Sequence, residues 1–237
     1  MLANNQPTVS MGMLTPTLHR PGSWLDAVID FILIQLPLWR DEPGRPPIDG
    51  ENALSAQLTS FLTSACTMAS GFDMLQFKQE EPDSGKDGRR KIDVAVHPKG
   101  AVISINGRSH SHYKMLVPIE CKRLPKPTAG ERREYLHRIS NTTGGVQRFK
   151  QGLHGSDYEL AVMIGYVQRD TIPDWHKRIE RWVRVLARAK VALWSIANAV
   201  SLNTHDATAR TGSFISNNSR SNGLAPIRLR HLWIEMT

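Results

Sequence analysis

The sequence is poor in cysteine, with only Cys66 and Cys121 among 237 residues. Two isolated cysteines supply neither a disulfide framework nor the paired spacing of a zinc site. Each stands in an apolar stretch, as a buried free thiol does. Long hydrophobic runs are also missing. The longest, Phe31-Ile32-Leu33-Ile34 with its neighbours, is far too short to span a bilayer. The first residues hold no basic segment followed by an apolar core, so no secretory signal is read and a cytoplasmic location, without a membrane partner, is the expectation. No internal repeat recurs. Acid is in deficit as well: 22 Asp and Glu stand against 30 Lys and Arg, a formal charge of +8. That balance favours a polyanionic partner as a matter of association, and says nothing of fold. With 40% hydrophobic residues, the chain can build one sizeable core.

Residues 1–21 are polar, carry Pro7, Pro16 and Pro21, and read as an irregular leader; 22–237 reads as one domain. Ser23 is a cap candidate for a helix over 24–36, with Leu25, Val28, Ile29, Ile32 and Leu36 at helical spacing and Pro37 ending it. A second helix is expected from Gly50 to Ser70, with Asp49 as its cap. Glu51 falls in its first turn, where an acid suits the helix dipole. Met74 to Gln79 reads as a strand, followed by a charged turn over Glu80 to Gly88. A short strand, Ala101 to Ile105, precedes Asn106-Gly107, a hairpin-turn pair. His97, His110 and His112 lie near it, but Ser109 to His112 reads as a solvated loop rather than a zinc site.

Farther on, Glu131 to Ile139 suggests a short helix, and Gly144-Gly145 opens another over Val146 to Leu153. Val146, Phe149 and Leu153 would face inward, leaving Gln147, Arg148 and Lys150 to the surface. Glu159 to Val167 is the most apolar stretch and reads as a buried central strand. A long helix is expected from Pro173 to Ala199, with Trp175, Ile179, Trp182, Val183, Leu186 and Leu193 as its stripe. Its other side carries Lys177, Arg178, Arg181, Arg184 and Arg188, which serve either solubility or a phosphate partner. Residues 201–223, rich in Ser, Asn, Thr and Gly, read as a long loop, and Ile227 to Met236 as a closing strand.

Two strands carry charge where burial should allow none: Lys91-Ile92-Asp93-Val94-Ala95-Val96 and Val117-Pro118-Ile119-Glu120-Cys121-Lys122. Side chains alternate between faces along a strand. Glu120 and Lys122 therefore share one face and Ile119 and Cys121 the other. A neighbouring strand can bring Asp93 to the same edge, and two carboxylates with a lysine there make a site for a divalent metal and an attacking water. The competing reading is an ion-paired sheet edge without chemistry, although burying such charges is costly.

This arrangement resembles the PD-(D/E)xK nuclease superfamily, with its restriction-endonuclease-like fold, over roughly residues 50–168. The matching pieces are Glu51 on a helix, Asp93 on a strand, Glu120-Cys121-Lys122 on a strand 27 residues after Asp93, and Gln147 with Arg148 on the following helix. Ile92 stands where the pattern often has proline. The resemblance implies an α/β fold, a core of order α-β-β-β-α-β with a mixed central sheet flanked by helices, and extra N-terminal and C-terminal helices. It implies a metal-dependent endonuclease acting on DNA, of the kind found in restriction and antiphage defence. Asp93, Glu120, Glu51 and the Cys121 backbone carbonyl would hold Mg²⁺ or Mn²⁺, and Lys122 would position the water or offset developing charge. Arg123, Lys126, Gln147, Arg148 and Lys150 would hold the nucleic-acid backbone. A homodimer and a targeting partner protein stay open, as does a non-cleaving nucleic-acid-binding or assembly subunit that keeps the fold.

Overall fold

Leu160–Val167, the most apolar run, forms a strand buried along nearly all its length, as the middle of a sheet requires. The protein is described by a computed structural model over residues 16–83, 90–125, 134–137 and 144–237. In chain order the elements are β1 (Thr17–Arg20), α1 (Trp24–Arg40), α2 (Glu51–Met68), β2 (Leu75–Pro82), β3 (Lys91–Pro98), β4 (Val102–Ile105) and β5 (Arg108–His110). They continue with β6 (Val117–Leu124), α3 (Gly145–Lys150), β7 (Leu160–Val167), α4 (Ile172–Arg188), β8 (Ser201–Asp206), β9 (Thr211–Asn218) and β10 (Ile227–Glu235). Among the described residues seven strands form one sheet in the order β2-β3-β6-β7-β10-β9-β8, and β1-β4-β5 form a small second sheet. The pairs β6–β7 and β7–β10 are parallel, while β2–β3, β3–β6, β10–β9 and β8–β9 are antiparallel. The result is a mixed sheet flanked by helices.

Each face of that sheet has its own core. Leu54, Leu58 and Leu62 of α2 and Val28, Ile29 and Ile32 of α1 pack on Val94, Ile119, Cys121 and Ile164. On the other side Val146 and Phe149 of α3 and Trp175, Ile179 and Val183 of α4 pack on Met163, Leu229 and Trp233. Both cysteines are buried and free, and burial pushes the Cys66 thiol up to about 12. Among the described residues no helix is long and apolar enough to cross a membrane.

Several local expectations yield to tertiary context. Within the supposed leader, Thr17–Arg20 pairs in parallel with Val102–Ile105. Pro37 does not end α1: a proline removes one helical N–H, and the buried Trp39 and Arg40 carry the helix one turn further. Arg40 donates to the carbonyls of Ala209 (2.9 Å) and Glu235 (3.2 Å), which anchors that turn. Ser23 holds the cap position of α1 without a side-chain bond, and Gly50 rather than Asp49 caps α2. Asn106 and Gly107 both take positive φ, as a two-residue hairpin turn between β4 and β5 requires. His110 is no solvated loop residue. It is buried in β5, and its Nδ1 lies 2.9 Å from the Met115 carbonyl. The helix suggested over Glu131 to Ile139 falls mostly outside the described residues; 134–137 form a turn.

The C-terminal third departs most. α4 stops at Arg188, where left-handed residues at Lys190 and Leu193 turn the backbone away from the helix. The segment 201–223 contains the β8–β9 hairpin, so β10 lies between β7 and β9 rather than at an edge. In β9 Ser213, Ser216 and Asn218 disguise a strand because they are polar yet buried. Ser216 Oγ meets His231 Nε2 at 2.8 Å, and Asn218 Nδ2 donates to Ser216 Oγ at 2.9 Å. His231 Nδ1 lies 2.7 Å from the Tyr135 hydroxyl, which accepts from Trp233 Nε1 at 2.8 Å. Polar groups satisfied in this way can be buried without the usual penalty.

Candidate active site

The site begins where two strands part. β3 and β6 pair from Val96–Val117 to Val94–Ile119. Beyond that point the Asp93 carboxylate accepts the Cys121 backbone N–H at 2.8 Å. The next residues of β6 alternate as expected: Cys121 packs with α1 and α2, and Glu120 and Lys122 leave from the opposite face. Glu51, first residue of α2, comes to the same place from across the sheet end. Its Oε2 accepts the Arg123 N–H at 3.0 Å. Its task is therefore more than complementing a helix dipole.

Lys122 is the hub. Its Nζ lies 2.7 Å from the Cys121 carbonyl oxygen and 2.9 Å from Glu51 Oε1. Glu120 Oε1 is 3.0 Å away and Asp93 Oδ2 3.5 Å. Burial pulls this amine down, but the charges of Glu120, Asp93 and Glu51 outweigh it and hold the ammonium well above its ordinary range. Glu120 is fully buried. Burial pushes its carboxyl up, yet Lys122, His154 and Arg148 overcome that and keep it well below the usual carboxylate range. Asp93 moves the other way, to about 6: burial and the neighbouring Glu120 charge raise it, and Lys122 and the Cys121 N–H only partly offset them.

Among the described residues no group of three or more His, Cys, Asp or Glu side chains stands ready to hold a metal ion. The point on which Glu51, Asp93 and Glu120 converge is taken by the Lys122 ammonium. In kind, the donors fit a hard divalent cation: three carboxylates and one backbone carbonyl are all oxygen ligands. In charge they fit as well, since among the described residues the three carboxylates meet the fixed cations Lys122 and Arg148.

The expected backbone-holding residues divide. Arg148 NH1 donates to Glu120 Oε1 at 2.8 Å, so it belongs to the cluster. Arg123 stands at its edge, with NH1 on the Asp49 carbonyl at 3.1 Å. Gln147 and Lys150 are buried instead of facing the surface. Gln147 accepts from Trp194 Nε1. Lys150 Nζ donates to Asn218 Oδ1 at 3.2 Å and stands 4.8 Å from the Trp194 ring centre. The turn after α4 and strand β9 cover this face of α3, which a short-range reading of α3 leaves open. Lys126 lies outside the described residues.

One neighbour escaped sequence reasoning. His154 is buried, and its Nδ1 lies 3.2 Å from Glu120 Oε2, off the line of a good hydrogen bond. The turn that carries it is clamped. Gly155 takes positive φ and donates its N–H to Asp83 Oδ2 at 2.9 Å. Arg220 NH1 donates to the Gly155 carbonyl at 3.0 Å. A lone histidine after a short helix gives no sequence signal of such a contact; only the glycine beside it hints at a fixed turn. Compared with protein-family models, with curated proteins and with solved structures, the chain finds no match.

Proposed function

We propose that the protein is a metal-dependent nuclease of the PD-(D/E)xK kind, hydrolysing DNA phosphodiester bonds at the Asp93–Glu120–Lys122 cluster. One observation carries the reading: Glu51, Asp93 and Glu120, from a helix and two strands, place carboxylate oxygens within 3.5 Å of one lysine nitrogen. Evenly paired surface charge does not produce such a focus, and three carboxylates this close repel each other unless a positive centre is their purpose. The element order α2, β2, β3, β6, α3, β7 agrees with the restriction-endonuclease-like core, with β4 and β5 as an inserted hairpin and α1 and α4 as additions.

In the reaction a water oxygen forms a bond to phosphorus while the bond to one ester oxygen breaks, and that oxygen takes up a proton. Glu51, Asp93, Glu120 and the Cys121 carbonyl would hold Mg²⁺ or Mn²⁺. Bound there, the ion would acidify a water and neutralise phosphoryl charge. The protein's own contribution follows from the protonation states. Lys122 stays an ammonium, so it acts as a positive donor to a phosphoryl oxygen or to the water rather than as a base. Arg148 and His154 hold Glu120 ionised and oriented. Arg123 at the rim is available to a flanking phosphate.

Nicking of supercoiled plasmid with Mg²⁺, Mn²⁺ or EDTA tests this, with Asp93→Ala and Lys122→Met beside the wild type. Metal-dependent nicking that disappears in both variants is expected. Activity surviving both substitutions would put the site elsewhere. Wild type and variants that bind DNA equally and cut nothing would favour the non-cleaving subunit.

A further inference from the structure

α4 divides sharply into two sides. Trp175, Ile179, Val183 and Leu186 are buried, whereas Lys177, Arg181, Arg184 and Arg188 are all exposed. Spacings of four, three and four residues place these cations in one line along the helix, opposite the buried stripe. At 1.5 Å rise per residue the line is about 16 Å long, with a cation roughly every 5 Å. The acids of α4 do not neutralise it. Asp174 accepts from the Thr171 hydroxyl at 2.7 Å, and Glu180 accepts the Val200 N–H at 2.7 Å. Arg178, off the line, is the cation that finds a carboxylate, Asp170 at 2.6 Å. Among the described residues Lys177 is felt by Asp174, whose carboxyl the Thr171 hydroxyl and then Lys177 lower, and the α4 salt bridge is that of Arg178 rather than of a ridge cation. Like charges a helical turn apart destabilise a helix, and a polyanion laid along the ridge would reverse that cost.

We infer that this ridge is a docking surface for the phosphate backbone of duplex DNA, separate from the carboxylate cluster. The inference rests on the nucleic-acid reading above and relocates backbone contact from Gln147 and Lys150, which are buried, to α4. Other polyanions fit less well. The apolar side of α4 is committed to the core, so the helix cannot lay it into a lipid bilayer. Trp175 is buried and Trp182 packs against that same core, so the ridge offers no aromatic platform on which unpaired bases could stack. A straight line of fixed charges suits a stiff row of phosphates and gives no base readout.

The test is fluorescence anisotropy with a labelled 20-base-pair duplex, a single strand of equal length and anionic phospholipid vesicles, all in EDTA from 50 to 200 mM salt. Wild type is compared with the fourfold variant Lys177→Gln, Arg181→Gln, Arg184→Gln, Arg188→Gln, and with Lys177→Gln, Arg181→Gln alone. Each lost phosphate contact should flatten the log–log salt slope by about 0.9. The fourfold variant is therefore expected to lose about 3 to 4 from the slope and at least tenfold in affinity at low salt, and the pair about half as much of the slope. Unchanged slopes in both would overturn the inference. So would ridge-dependent binding that prefers the single strand, or the vesicles, over the duplex. Since no cleavage occurs in EDTA, a wild type that binds through the ridge but never cuts with metal refutes the nuclease and leaves the ridge standing. Cutting by wild type, with normal binding by the fourfold variant, does the reverse.

Discussion

Replacing Asp93 by Asn should stabilise the protein at neutral pH while abolishing the nuclease activity proposed above. In the folded protein the Asp93 carboxyl is raised from its ordinary 3.8 to about 6, so the folded state binds that proton more tightly than the unfolded state does. Stability then falls as pH rises from about 4 to about 6, and the whole cost persists above that. At 1.36 kcal/mol per tenfold the cost is about 3 kcal/mol. The side chain is 28% exposed, and solvent screening brings the figure to about 2 kcal/mol. Asparagine keeps an oxygen for the Cys121 N–H and carries no charge. For a domain of this size a gain of about 2 kcal/mol raises Tm by about 4–8 °C. Thermal unfolding in EDTA at pH 8 and pH 4 measures it: the gain is expected at pH 8 and nearly gone at pH 4. Equal effects at the two pH values, or a loss at pH 8, would refute the reasoning. Glu120 has the opposite sign. Its lowered carboxyl contributes stability above its ordinary 4.5 that is lost as pH falls, so Glu120→Gln should destabilise at pH 8.

Two further outcomes follow from the same geometry. His154→Ala removes the imidazole beside Glu120 Oε2 and, on the nuclease reading proposed above, should slow nicking about tenfold with KM unchanged, and His154→Gln, which keeps a polar group there, should recover part of it; an Ala variant as fast as wild type would remove His154 from the site. Lys150 is fully buried and burial lowers its amine to about 8, so at pH 7 it is held protonated at a cost that fades as pH rises from about 8 to its ordinary 10.5. Lys150→Met should therefore gain about 1–2 kcal/mol at pH 7, after loss of the Asn218 bond, and nothing at pH 10.5. Its DNA affinity and salt slope should match wild type, and a shallower slope would return Lys150 to the interface.

Periodicity made the strands legible. Asp93 and Glu120-Cys121-Lys122 could be placed on strands because alternation and apolar neighbours are local properties, and the two strands are indeed adjacent and antiparallel. The buried stripes of α1, α2 and α4 were readable for the same reason. The segment 201–223 was not, because serine and asparagine signal a loop when taken singly. Only the facing His231 and Lys150 turn Ser216 and Asn218 into strand residues that can be buried. Pro37 misled in the opposite direction, since its local cost is smaller than what Trp39 and Arg40 recover by packing.

Sequence alone thus put Glu51 in the first turn of a helix and Asp93, Glu120 and Lys122 on strands, where the structure has them. Tertiary structure decided what those residues meet. It brought Glu51 from the start of α2 onto Lys122, set the Lys122 ammonium where the three carboxylates converge, and added His154 through a turn clamped by Asp83 and Arg220. It also turned Gln147 and Lys150 inward and left Lys177, Arg181, Arg184 and Arg188 in one exposed line on α4. The side of a short helix that faces solvent depends on what later strands lay over it, and one-dimensional spacing carries no record of that.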